Sequence, residues 1–309
     1  MIDLVIKTSV VALVAVCLTR RNRPETAADD HRVWLVVLFS PLLILAANAV
    51  LPPFALVLPR GPAVPAPPPG WTSLLYALVA SALLIRVGAG LWTVGALSRR
   101  ARRLPEPDLA RLRALAGVSR LHIREAELTV PVTAGVLRPC VILPRGWRRF
   151  GEASLSAILR HEAAHVRRRD CSLALIAALI EAVFWFCPAV WLASRRVRWF
   201  AEMTCDAEAA RRMGPGRYAG ELLELAAGWA GAPSPRYAIT AGAETQVARR
   251  IRLLLDATTM DRRRRALFPV VLVVMALALP ASALVRFSGS RVAPPAMASD
   301  HAGLHRHPH

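Results

Sequence analysis

The sequence predicts a mainly α membrane protein, with four transmembrane helices and an α+β domain inserted between helices 3 and 4. Two compositional values carry that class. The chain is 55% hydrophobic with a mean hydropathy of +0.39, too apolar for an ordinary soluble enzyme, yet its formal net charge is +19. Apolar spans joined by basic loops reconcile the two. A third observation is the order of the apolar runs, three before and one after a long polar stretch. A basic chain of 309 residues also raises nucleic-acid binding, but the Arg residues cluster beside apolar runs and no recognition motif accompanies them, so direct nucleic-acid binding is not expected.

The first run, Ile2 to Leu18, is interrupted only by Asp3 and Lys7 and is followed by Arg20, Arg21 and Arg23. A cleaved signal peptide carries its charge before the apolar run, so an uncleaved membrane helix is expected. A second run extends from Val33 to about Leu58, and a Pro-rich connector, Pro59 to Gly70, follows it. The third run, Trp71 to Leu97, contains Arg86 and stops at Arg99-Arg100-Ala101-Arg102-Arg103. The last run, Ala266 to about Val285, has roughly the twenty residues that cross a hydrocarbon core. The predicted division is therefore 1–97 (three spans), 98–265 (inserted domain), 266–285 (fourth span) and 286–309 (a short His-rich tail).

Arg counts in the loops set the orientation. Four Arg lie between Arg20 and Arg32, one in the connector, and many in 98–265. Both termini are expected outside and the inserted domain in the cytoplasm. Five cysteines with no CxxC spacing, four of them in that domain, argue against a disulfide framework.

Within the domain, Pro107 to Ala116 reads as a short helix. Leu128 to Pro144 is rich in β-branched residues around Gly135 and Pro139 and reads as two short strands joined by a turn. Next comes Ala157-Ile158-Leu159-Arg160-His161-Glu162-Ala163-Ala164-His165-Val166-Arg167-Arg168-Arg169-Asp170, a helical run with Ser154 and Ser156 as candidate N-caps. Ser172 to Ser194 is apolar enough to pass as a membrane helix. It contains Glu181 and Pro188 and has basic flanks at both ends, which fits a buried or membrane-surface helix that does not cross.

The HExxH pattern carries the chemistry. Residues four apart share a helix face, so His161 and His165 can aim two imidazoles at one ion. Glu162 is then placed to take a proton from a water that the ion polarises. Zinc accepts this donor set. A catalytic zinc needs a third protein ligand, and Glu202-Met203-Thr204-Cys205-Asp206 is the best source. Glu202 can complete the set, and Asp206, four residues on, can accept a ring N–H from a ligand histidine. A solvated acidic face has the same spacing, and the residues alone leave both readings open.

The three spans, the HExxH stretch, Phe184-Trp185-Phe186-Cys187-Pro188-Ala189-Val190-Trp191, Glu202 to Asp206 and the fourth span together resemble the BlaR/MecR family of membrane metallopeptidases. Pro131-Val132-Thr133-Ala134-Gly135, Val141-Ile142-Leu143-Pro144 and Arg249-Arg250-Ile251-Arg252-Leu253-Leu254-Leu255 are similar to the same pattern. The resemblance implies a gluzincin-like domain on the cytoplasmic face of the bacterial inner membrane. It implies His161, His165 and Glu202 as ligands of Zn2+, Glu162 as catalytic base and Asp206 as a supporting residue. It further implies a protein substrate, either the chain itself or a BlaI/MecI-like repressor, and a homodimer is a possible assembly. Family members that sense beta-lactams continue into an external penicillin-binding domain. Only Arg286 to His309 follow here, so no internal antibiotic sensor is expected.

Two other classes stay in view: a quality-control protease similar to HtpX or CAAX-processing enzymes, and a non-catalytic signalling subunit whose zinc is a structural clamp. Cys205 as a fourth ligand would favour the clamp, although packing is its ordinary role. His301, His305, His307 and His309 form a disordered-type tail. Arg249 to Arg265 is the candidate region for self-cleavage, and extended substrate is expected to pair near Thr129 to Leu143.

Overall fold

The structure, a computed structural model, describes residues 2–19, 26–50, 54–59, 70–229, 240–256 and 285–290. It is mainly helical with a small sheet, and it opens on helix α1, Ile2–Leu18, over the range the first apolar run predicts. Its two charges neutralise each other one turn apart, Lys7 Nζ lying 2.9 Å from Asp3 Oδ2. Helix α2 spans Ala27–Val50 and α3 spans Trp71–Arg100. These two are the described helices long and apolar enough to cross a membrane by length and composition. At 17 residues, α1 sits at the lower limit of spanning length.

The two candidate spans differ in their surroundings. Trp34, Val37, Leu38 and Ile44 of α2 are buried in a core shared with α1 and a later helix. On α3 only Ala80 is buried, while Leu78, Ile85 and Trp92 stay exposed. A helix apolar on all sides and uncovered by protein is matched to hydrocarbon. Arg86 lies exposed midway along it.

The second apolar run does not continue as helix to Leu58. Helix α2 ends at Val50, and Phe54–Pro59 form strand β1 instead. Pro52 and Pro53 lie between the two elements, and proline cannot supply the N–H that helix continuation needs. Strand β1 pairs in parallel with a distant strand, Val285–Ser290, so Val285 opens a strand where the fourth span was expected to end. The remainder of that span, 266–284, and the tail histidines lie outside the described residues.

After α3 a four-stranded sheet forms. Strand β2 is Arg102–Arg103, β3 Ile123–Ala126, β4 Val132–Ala134 and β5 Cys140–Pro144, in the order β2-β3-β5-β4. Strand β3 runs parallel to β5, whereas β4 runs antiparallel to it. Val141, Ile142 and Leu143 of the central β5 are fully buried, the unbroken apolar run expected of a strand covered on both faces. The two strands read from 128–144 are β4 and β5, whereas β2 and β3 carry too many charges to show in the pattern. Helix α4, Glu106–Ala116, has Pro107 in its first turn and stops at Gly117, whose φ of 68° is left-handed.

Helix α5, Glu152–Arg168, holds the HExxH residues. Its amphipathic face places Leu155, Ile158 and Leu159 against Leu112, Leu121, Val141, Leu143 and Trp147. The expected serine caps are corrected here: Gly151 is the N-cap and makes no side-chain cap bond. Ser154 instead donates to Glu221 at 2.7 Å and Ser156 to the Leu115 carbonyl at 3.3 Å. Both already lie inside the first turns, where a hydroxyl finds tertiary partners.

The Ser172–Ser194 stretch is two helices rather than one. Helix α6 is Asp170–Val183 and α7 is Pro188–Met213. Proline at the first turn of α7 starts a new helix, and it disfavours helical backbone at Cys187, which is extended. The 14 residues of α6 rise only about 21 Å, less than a hydrocarbon core. Buried Glu181 faces Arg198 of α7 at 3.4 Å. Helices α8, Pro215–Trp229, and α9, Thr240–Leu255, complete the domain, and Val285–Ser290 is β6.

Candidate metal centre

The turn between α5 and α6 shapes the site. Arg169 takes a left-handed conformation, φ 58° and ψ 39°, uncommon for a residue with a Cβ. It ends α5 and starts α6 within one residue, which brings Asp170 back over the helix it follows. Asp170 Oδ2 lies 2.7 Å from His165 Nδ1, and Arg168 Nε donates to the same oxygen at 3.2 Å.

The other nitrogens of the two imidazoles converge. His161 Nε2 and His165 Nε2 are 3.1 Å apart. Glu202, reaching from α7, sets Oε1 at 3.4 Å from His165 Nε2 and Oε2 at 3.5 Å from His161 Nε2. Ligand atoms about 2.0–2.1 Å from a tetrahedral zinc stand about 3.3–3.4 Å from one another. The 3.1 Å between the two nitrogens and the contacts from the two Glu202 oxygens, Oε1 to one ring and Oε2 to the other, lie near that spacing, and two nitrogens with a carboxylate form a donor set able to hold a metal ion. The residues present therefore fit the ion.

Each ring is held from behind by a carboxylate. Asp206 Oδ1 lies 3.0 Å from His161 Nδ1 and Asp170 serves His165 in the same way. Asp206 is buried and also accepts from Tyr218 Oη at 2.8 Å and from Arg250 Nε and Nη2, each at 2.6 Å. Arg250 Nη1 reaches on to Glu202 Oε2 at 3.0 Å. Burial works against a proton on His161, but its hydrogen bonds to Asp206 and Glu202 and their charges outweigh it and hold the ring up at about 9. His165 is raised too, against burial, by its hydrogen bonds to Asp170, Cys205 and Glu202. Burial favours the neutral acid at Glu202, yet the Arg250 charge and the two rings keep it well below the usual carboxylate range. Such a cluster calls for positive charge at the ring nitrogens, which a metal ion supplies in place of protons.

Glu162 faces the same cleft, a space of about 270 Å3 bordered by Val130, Pro131, Ile158, Tyr218, Leu222, Leu225 and Arg250. Thr133 of β4 donates its hydroxyl to Glu162 Oε2 at 2.5 Å. Cys205 lies elsewhere: its thiol points to Asp170 Oδ2 at 3.7 Å, on the Nδ1 side of His165. Burial pushes that thiol up to about 11. It joins His165 and Asp170 in a second group of side chains that could hold an ion, on the far side of the ring from Glu202.

The structure thus brings His161, His165, Glu162, Glu202 and Asp206 together. Asp170, Thr133, Tyr218 and Arg250 are site residues for which the sequence suggested no role. Asp170 follows His165 by five residues in the same motif and was the most readable of the four.

A sequence profile of the family described as BlaR1 peptidase M56 matches residues 62–254. That is well over half of the chain. The protein belongs to the BlaR1 peptidase M56 family. The regulatory protein BlaR1 of Bacillus licheniformis is 36% identical over 83 residues, which are 27% of this chain and 14% of that protein. The aligned stretch is thus a small part of that longer relative. Membership in a BlaR1-type peptidase family agrees with a group of side chains able to hold a metal ion. The two long apolar helices agree with membrane association.

Proposed function

We propose that this M56 peptidase is an integral membrane zinc endopeptidase that acts at the cytoplasmic face in signal transduction, cleaving itself, a cytoplasmic repressor, or both. The observation that carries the reading is the convergence of His161, His165 and Glu202, with their ligand atoms 3.1–3.5 Å apart, beside Glu162. When bound, zinc supplies a Lewis acid that activates water near neutral pH and polarises the scissile carbonyl. Glu162, held by Thr133, takes the proton from the attacking water and passes it to the leaving amine. Asp170 and Asp206 fix the ring tautomers so that both Nε2 atoms face the ion.

Substrate binding follows from the sheet. Among the described residues strand β4 is an edge, paired only to β5, and its Thr133 touches Glu162. An extended peptide adding to β4 brings its backbone past the catalytic carboxylate. The same reading keeps four spans, with residues 98–265 as a gluzincin-like cytoplasmic domain and both termini outside. The β1–β6 pairing supports it, because the segments following the second and the fourth spans then meet on one side. The stretch considered for self-cleavage is helical through Leu255, with Arg250 engaged at the site, and residues 257–265 lie outside the described residues.

The test compares detergent-purified wild type with Glu162→Ala, following fragments of the chain and of candidate repressors by mass spectrometry. Fragments from the wild type alone are expected. Equal fragmentation by both proteins refutes the mechanism.

A further inference from the structure

A single guanidinium joins the two carboxylates of α7 that serve the metal centre. Arg250 grips Asp206 side-on, through Nε to Oδ2 and Nη2 to Oδ1, both at 2.6 Å. Its remaining nitrogen, Nη1, lies 3.0 Å from Glu202 Oε2. Glu202 and Asp206 are one helical turn apart, close enough to repel each other when both are ionised. The planar fork of arginine satisfies both at once, in a geometry that the ammonium of lysine does not reproduce.

The grip has a directional consequence. Arg250 holds Glu202 so that both its oxygens face the ring nitrogens, Oε1 3.4 Å from His165 Nε2 and the gripped Oε2 3.5 Å from His161 Nε2. Asp206, held by the same fork, keeps its Oδ1 on His161 Nδ1.

Arg250 also comes from an element outside the HExxH and Glu202 helices. Its helix α9 packs Leu254 among Ala157, Ala209, Ala210 and Tyr218 around the site. One residue earlier, Leu253 packs against the core built from α1, α2 and α7. The same helix therefore touches the metal centre and the membrane-side core, and the chain continues from it toward the last apolar run.

We propose that Arg250 is a positioning residue that holds Glu202 in place as a metal ligand, so that the metal site is complete only while α9 is docked. This rests on the zinc reading above and deepens it. Arg250 touches no reacting atom; it acts through Glu202 and Asp206.

The test is zinc affinity, measured by competition with a chromophoric chelator on metal-stripped full-length protein in detergent. Four forms are compared: wild type, Arg250→Met, Glu202→Ala and the double variant. Arg250→Met is expected to weaken zinc binding by about 10–100-fold, as loss of ligand-orienting partners does. In the Glu202→Ala background that factor is expected to shrink about fivefold or more, because the group being oriented is gone. An equal factor in both backgrounds marks a merely structural arginine and overturns the inference, as does an Arg250→Met affinity within about twofold of wild type. If Arg250→Met does not fold, Arg250→Lys enters the same cycle, with the charge kept and the fork lost. Failure of the wild type to bind stoichiometric zinc overturns the metallopeptidase reading itself, and this inference with it, so the two failures are distinct.

Discussion

Replacing Asp170 by Asn isolates what the carboxylate behind His165 contributes. Asp170 Oδ2 takes the ring at 2.7 Å, Arg168 Nε at 3.2 Å and the Cys205 thiol at 3.7 Å. The burial that would push this acid up is outweighed by the hydrogen bond and charge of His165 and by Arg168, so it stays below its ordinary value and ionised at neutral pH. The amide is the same size and can still accept a hydrogen bond from Nδ1–H, but it brings no charge to the imidazole and leaves Arg168 without its counter-charge. Losses of such partners cost about 10–100-fold in metal affinity, or about 1.4–2.8 kcal/mol. Asp170 also sits in the first turn of α6, where its charge favours the helix N-terminus by about 0.3–1 kcal/mol. The two effects separate experimentally, because chelator competition reads the first and the melting temperature of the zinc-free protein reads the second. An Asp170→Asn protein with wild-type zinc affinity refutes the argument that this carboxylate orients the ligand.

Three further outcomes follow from the same geometry. The pKa of His161, raised from 6.5 to about 9, makes protons compete with zinc; zinc affinity should climb between pH 6.5 and 9, and chelator competition showing a flat profile there contradicts the cluster. By the same linkage, the stability that protonated His161 lends the zinc-free protein is fully present below pH 6.5 and is lost as pH rises through about 9, so zinc-free melting temperatures should fall over that window. Thr133→Val removes the hydroxyl from Glu162 and should lower kcat about tenfold with zinc stoichiometry unchanged, read by steady-state cleavage beside elemental analysis.

The HExxH residues were legible because helical spacing alone puts His161 and His165 on one face, and the structure adds only their distance. Pro188 marks a helix boundary that the sequence reading missed, because the apolar composition on either side of it invited one continuous helix. Strand β3 escaped because Arg124 and Glu125 interrupt it; their partners, the Ser98 carbonyl and Trp147, are supplied by distant segments. Asp206 was readable as a partner for a ligand histidine, but which histidine depends on how α7 crosses α5. Arg250 was noted only as part of a run of arginines, with no role of its own. Only folding shows that Arg250 turns inward to two carboxylates while its neighbour Arg249 stacks on Trp199 at 4.9 Å. Long-range charge pairing leaves no periodic trace in a sequence.

X-ray absorption at the zinc edge, on full-length protein loaded with one equivalent of zinc, tests the central claim most directly. Two imidazole nitrogens and carboxylate oxygen at about 2.0–2.1 Å, with no sulfur, are the predicted shell. A sulfur scatterer at about 2.3 Å would bring Cys205 into the coordination sphere, close the site as a structural clamp and contradict the account.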